Sequence, residues 1–318
     1  MSTYTDDPPQ HWARIQESGS VAGMRAMVWI RRRLGRLPFR LMLGLVIVYY
    51  YVGRALPRRA SRHYLERIWP LHAGRPLRGG FLLGLRHFTA FGQSLMDKVD
   101  AWSGIPLDVR FTPEDRACLD RAIRSGRGGL MLVSHIGNLE ICSAMSDTRD
   151  DFHVTQLMHT RNARKFNQML DRSTLRRGPE IVEVSEITPA TAMRLAERIN
   201  AGGFVVIAAD RVPVNDNGRV RHLDFLGAPA PFPEGPFWLA ALLRCPVYTL
   251  SCLREGEAHR IEFRPFDDTT HLRRAERDAW REDAMRRYVE WLTDQCRRYP
   301  LQWFNFFPFW LADDHNGD

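Results

Sequence analysis

The chain has 318 residues, 44% of them apolar, a formal net charge of +8 and five cysteines. That length gives one large or two small domains with a sizeable core, and neither a disordered chain nor a repeat array is indicated. Cys118, Cys142, Cys245, Cys252 and Cys296 are odd in number, widely spaced and without a C-x-x-C pair. They read as buried thiols in a reducing compartment, against a disulfide framework or a zinc ribbon.

The positive charge is concentrated near the start. From Ser18 to Leu65 there is no acid, while Arg25, Arg31, Arg32, Arg33, Arg36, Arg40, Arg54, Arg58, Arg59 and Arg62 are interleaved with Trp29, Phe39 and Tyr49 to Tyr51. Such an arm suits either nucleic acid or an anionic membrane surface. The uncharged block Leu41 to Val52, flanked by Arg40 and Arg54, favours the membrane. Its twelve residues fall short of the roughly 20 that span a bilayer, so a helix there is expected to embed without crossing, as a monotopic anchor on the cytoplasmic leaflet. The competing reading is an ordinary buried helix.

Residues 10 to 100 read as helical, with breaks near Pro38, Pro57 and Gly74 to Gly80. From Ile105 short apolar and β-branched runs alternate with helical ones. Strands are predicted over Leu107–Phe111, Gly129–Ser134, His153–Met158, Ile181–Val184, Phe204–Ala208, Val247–Leu253 and Arg260–Phe263. Helices are predicted over Pro113–Ser125, Asn138–Ser146, Ala163–Ser173, Pro189–Asn200, Pro236–Leu243 and Ala275–Arg298. The expected fold is α/β, a largely parallel mixed sheet flanked by helices. The expected division is a helical membrane-associating region over 1–104 and an α/β domain over 105–318.

The second predicted strand ends in Ser134-His135, followed by Ile136-Gly137-Asn138-Leu139-Glu140. A turn at Gly137-Asn138 opening a helix would leave His135 at the carboxyl edge of the sheet, with Glu140 returning to orient its ring as a general base. A histidine with an acid five residues on is not rare among 37 acids, and His271 with Glu276 repeats it within a charged helical stretch. Ligands gather at the carboxyl ends of strands in such sheets. Arg161 with Asn162 follows the third strand and Asp210 with Arg211 the fifth, so three polar clusters are expected on one edge.

Several ordered blocks resemble the bacterial late acyltransferases of lipid A biosynthesis, within the lysophospholipid acyltransferase superfamily. They are His11-Trp12-Ala13-Arg14, Arg59-Ala60-Ser61-Arg62-His63-Tyr64-Leu65, His135 to Glu140 as an H-x4-D/E signature, Ala209-Asp210-Arg211, and Phe225-Leu226-Gly227-Ala228 leading to Gly235-Pro236-Phe237. The tail Gln302-Trp303-Phe304-Asn305-Phe306-Phe307 is similar to a branch found beside aryl-polyene and fatty-acid synthesis genes. Phe232-Pro233-Glu234-Gly235 lacks the Thr-Arg that follows it in glycerolipid acyltransferases, so Glu234 is given no phosphate-binding role.

The resemblance implies an inner-membrane enzyme moving a fatty acyl chain from a thioester, on acyl carrier protein or coenzyme A, to a hydroxyl of a lipid or glycolipid. No metal or other cofactor and no nucleic acid is expected. His135 would take the hydroxyl proton, Glu140 would stabilise the imidazolium, and the N–H groups of Gly137 and Asn138 would hold the oxyanion. Arg161, Asn162, Asp210 and Arg211 would bind substrate oxygens, and Arg164 and Lys165 would attract an acidic carrier protein. A thioesterase is the nearer alternative and a non-catalytic membrane-bound module the remoter one. A serine hydrolase fits poorly, since Ser134 lacks a G-x-S-x-G elbow.

Overall fold

A computed structural model describes residues 21–75, 80–146, 152–158, 180–183, 188–212 and 219–310. Four helices come first: α1 (Val21–Arg33), α2 (Arg36–Gly53), α3 (Ala55–Ala73) and α4 (Gly80–Trp102). Pro38 and Pro57 lie in the first turns of α2 and α3. An N–H there has no partner within the helix, so these prolines open helices rather than break them.

After α4 the chain alternates: β1 (Val109–Phe111), α5 (Pro113–Arg124), β2 (Gly129–Val133), α6 (Leu139–Ser146), β3 (Val154–Met158), β4 (Glu180–Glu183), α7 (Pro189–Asn200) and β5 (Phe204–Ala208). Then follow β6 (Val220–Phe225), β7 (Ala228–Pro233), α8 (Gly235–Leu243), β8 (Pro246–Glu255), β9 (Ala258–Asp268) and α9 (Arg277–Arg298). Thr112 and Thr188 cap α5 and α7 by accepting from the backbone N–H three residues on, each with proline next in line. Seven strands form one sheet in the order β1-β9-β8-β2-β5-β3-β4, parallel throughout except for the β8–β9 pair. The expected α/β class and largely parallel sheet are therefore observed. The predicted helix Ala163–Ser173 falls outside the described residues.

β2 lies in the middle of the sheet and every residue of it is buried. Its side chains alternate between two cores. Leu130 and Leu132 face a cluster with Tyr64, Leu65 and Ile68 of α3 and Tyr288 and Leu292 of α9. Met131 and Val133 face a second cluster, with Cys118 and Ala122 of α5 and Ile141 and Ala144 of α6. A strand covered on both faces needs an unbroken apolar run, which is what Gly129 to Val133 supplies. The N-terminal helices thus share a core with the sheet through α3.

The β6–β7 pair is not legible in the sequence. β6 and β7 form a separate hairpin around Leu226 and Gly227, with φ of 56° and 80°. Positive φ at both central positions gives the turn whose twist matches the strands. Phe225 to Ala228 stands out in the sequence as one of the ordered blocks, but three prolines in the six residues of β7 hide the strand. Pro229, Pro231 and Pro233 recur every second residue, so their nitrogens share one edge of β7 and the alternate residues supply its bonds to β6.

Candidate active site at the carboxyl edge of the sheet

β2 and β5 are parallel neighbours, with Val133 paired to Ala208. His135 stands two residues beyond Val133 and Asp210 two beyond Ala208, so equal overhang from one register brings them side by side. One Asp210 oxygen lies 2.8 Å from His135 Nδ1, and the other accepts the His135 backbone N–H at 2.8 Å. The Asp210 side chain is 1% exposed and that of His135 38%. A carboxylate at Nδ1 makes that nitrogen the protonated one and leaves the lone pair on Nε2.

The electrostatics match that tautomer. Burial lowers the His135 pKa, the Arg211 charge lowers it further, and Asp210 raises it against both, leaving it below the ordinary 6.5. Burial would raise the Asp210 carboxyl, but His135 and, less strongly, Arg211 bring it down to about 2. Burial pulls Arg211 down to about 10, so it stays protonated at neutral pH. Its Nη2 donates to the Phe304 carbonyl at 2.9 Å and its guanidinium lies 5.4 Å from the Phe307 ring centre.

Glu140 sits in the first turn of α6, just past the loop that His135 begins. Its Oε1 accepts from Lys98 Nζ of α4 at 2.7 Å, whereas the Nδ1 position expected for it is filled by Asp210. The loop itself is fixed by backbone contacts. Gly137 has φ of 69°, and a Cβ there would lie 2.0 Å from the Cys252 carbonyl oxygen, so no other residue fits without a shift.

The expected oxyanion donors need correction. The Gly137 N–H donates to the Gln302 carbonyl at 2.9 Å and the Asn138 N–H to the Cys252 carbonyl at 2.7 Å. Both amides are committed to holding the loop. The Asn138 side chain is committed too, donating to the Ser94 carbonyl of α4 at 2.8 Å.

A model of the bacterial lipid A biosynthesis acyltransferase family matches residues 86–312. The chain belongs to that family. It is an acyltransferase acting on a lipid-like acceptor, with an acyl donor as second substrate. No curated protein matches the chain. The family match begins within α4 and takes in His135, Glu140, Asp210, Arg211 and the aromatic tail, while α1 to α3 precede it.

Of the acyltransferase residues expected from sequence, His135, Gly137 and Asn138 occupy one loop, Glu140 lies in the first turn of the helix that follows it, and Asp210 and Arg211 come to the side of His135. Arg161, Asn162, Arg164 and Lys165 lie outside the described residues. Among the described residues no group of three or more His, Cys, Asp or Glu is placed to hold a metal. Glu234 accepts from Arg221 at 3.3 Å and pairs with Arg281 at 3.4 Å, a structural setting on the β7–α8 corner. Ser134 is buried, whereas His135 beside it is open to approach.

Sequence reading missed the tail as part of this site. Phe304 N–H donates to the His135 carbonyl at 3.1 Å, and Trp303 pairs with Ile136 as an isolated β-bridge. The tail was legible as aromatic, but no local pattern reports a partner so far back in the chain.

Proposed function

We propose that this acyltransferase moves a fatty acyl chain from the thioester of acyl carrier protein or coenzyme A to a hydroxyl of a lipid or glycolipid, with His135 as general base. The observation that carries the reading is the His135–Asp210 contact at the open end of the sheet. An alcohol is almost wholly protonated at neutral pH, so a base must take its proton as its oxygen attacks the thioester carbonyl. His135 Nε2 takes that proton, and Asp210 fixes the tautomer and balances the imidazolium. The imidazolium then returns the proton to the departing thiolate as the tetrahedral intermediate collapses, and no acyl-enzyme forms.

Glu140 retains a place in this mechanism as the second carboxylate of the H-x4-E loop, with Lys98 setting its position. Arg211 places positive charge beside the dyad, where a phosphate, a sugar oxygen or the developing oxyanion would sit. Arg161, with a forked guanidinium after the third strand, and Asn162 beside it are proposed to bind substrate oxygens.

The enzyme works at the membrane through α2. Leu37, Leu41, Leu45, Val48 and Val52 recur at helical spacing and are exposed, while Phe39, Ile47 and Tyr51 are buried against the protein. A stripe of that kind turned away from the core suits a lipid surface better than water. Among the described residues α2 is the one helix long and apolar enough to cross a membrane. The arginines around it fit the cytoplasmic face of a bacterial inner membrane, with α1 to α4 as the membrane-associating region and the remainder as the catalytic body.

Incubating the enzyme with labelled acyl carrier protein or acyl-coenzyme A, with and without membrane lipid extract, tests the reading. Label in a lipid supports it. Label released only as free fatty acid would make the protein a thioesterase.

A further inference from the structure

The tail residue Trp303 carries a contact that packing alone does not require. Its indole is 1% exposed, wedged among Tyr64, Phe225 and Phe309 with ring centres 5.0 to 5.2 Å away. Its N–H points out of this apolar cage to Asp210, donating to Oδ2 at 3.1 Å. Oδ2 is the oxygen that also accepts the His135 backbone N–H, while Oδ1 faces His135 Nδ1. Two donors therefore hold one oxygen, and the carboxylate has no rotation left that keeps both while turning Oδ1 away.

The backbone on either side of Trp303 grips the other half of the pair. Gln302 accepts from Gly137 and Phe304 donates to His135, so the tail lies as a short antiparallel partner along residues 135–137. The Trp303 carbonyl is itself anchored by the buried His87 of α4, whose Nε2 lies 3.0 Å from it and whose Nδ1 lies 2.8 Å from Ser61 Oγ of α3. The tail thus reaches both members of the dyad, His135 through the Phe304 backbone and Asp210 through the Trp303 side chain.

From this geometry we infer that Trp303 is a positioning residue for acyl transfer, acting on His135 through Asp210. The inference rests on the reading of His135 as general base. It also explains why an aromatic tail so far along the chain is folded into the sheet edge instead of lying on the surface: it completes the site.

The indole N–H does more than aim the carboxylate. By donating to Asp210 it withdraws charge from it, which tempers the pull of Asp210 on the imidazolium. Removing that donor leaves a stronger base at Nδ1 and raises the pH at which His135 takes up its proton. A residue that only filled space would scale the rate at every pH and leave the profile in place.

Trp303→Phe keeps most of the ring and deletes the donor. We expect kcat to fall about tenfold with KM unchanged, in line with loss of one hydrogen bond to a charged group felt in the transition state. The acidic limb of kcat/KM should move to higher pH. Trp310→Phe is the matched control, since it deletes an indole donor to the Phe225 carbonyl with no atom on the dyad; its limb should stay at the wild-type pH. A Trp303→Phe limb at the wild-type pH, whatever the rate, would overturn the inference. Asp210→Asn separates the two layers: wild-type kinetics in that variant would bring down the dyad itself, whereas a severe loss there beside an unshifted Trp303→Phe would remove Trp303 alone.

Discussion

Asp210 grips His135 twice, at the ring Nδ1 and at the backbone N–H, both at 2.8 Å. The double contact follows from the Val133–Ala208 register, because each residue projects two places past its strand end. Equal overhang from parallel neighbours is a general way to build a pair from residues distant in sequence, here 75 apart.

Asp210 and Glu140 are separable by substitution. Asp210→Asn retains the shape but offers Nδ1 the wrong tautomer, so kcat should fall by about 10³-fold or more, with KM little changed. Glu140→Gln leaves the Nδ1 contact in place and should cost less, about tenfold, through loss of the Lys98 ion pair that ties the first turn of α6 to α4. Steady-state kinetics on both variants checks the order. A larger loss at Glu140 would move the ring's main carboxylate partner to it during turnover.

Gly137→Ala should be severe for its size. The substitution meets a positive φ and a carbonyl oxygen in the same place, so stability should drop by about 2–4 kcal/mol and activity should fall with it as the His135 loop shifts. Urea unfolding of the purified variant measures the first and acyl transfer the second. Gly227→Ala, in the exposed β6–β7 turn with nothing within 4 Å of the new Cβ, pays only for its φ and should leave activity near wild type.

Acid should weaken the fold through His87. Full burial lowers its pKa to about 4 against the ordinary 6.5, with the Trp303 carbonyl bond opposing the shift. Below pH 6.5 the unfolded chain binds a proton that the folded chain refuses, so stability is fully present above that pH and falls as pH drops towards 4. The loss over that window is about 3 kcal/mol. His87→Gln, which cannot titrate, should flatten that part of the curve when unfolding free energy is followed against pH.

The exposed stripe of α2 should govern membrane attachment. Leu41→Glu with Leu45→Glu puts two charges on the lipid-facing side without touching Phe39, Ile47 or Tyr51, so the fold should persist while binding to anionic vesicles drops sharply. Sedimentation with vesicles reads this directly. Deleting residues 1–65 is a harsher change, since it strips Tyr64 and Leu65 from the core beneath the sheet, and aggregation is expected.

The strands of the sheet were legible because their cues are local: unbroken apolar runs such as Gly129 to Val133, closed by glycine, proline or polar clusters. His135 was legible for the same reason, lying at the end of such a run. A local reading points to Glu140, the acid near it in sequence, as its partner, because strand order and register are invisible at that range; Asp210 is legible only as a polar residue at a strand end. The β7 strand was hidden by prolines that its edge position tolerates. The N–H groups of Gly137 and Asn138 looked free because the tail and β8, which accept from them, arrive from more than a hundred residues away.

The pH dependence of kcat/KM for acyl transfer, measured on wild type beside His135→Gln, tests the central claim most directly. His135 must be neutral to accept the hydroxyl proton, and burial with the Arg211 charge holds its pKa below the ordinary 6.5, so wild type should keep most of its activity at pH 7 and lose it on an acidic limb whose midpoint lies below 6.5. His135→Gln should lose at least about 10²-fold and the limb with it, while remaining folded. A His135→Gln enzyme of near wild-type rate, or one that keeps the same acidic limb, would contradict the assignment of His135 as the base.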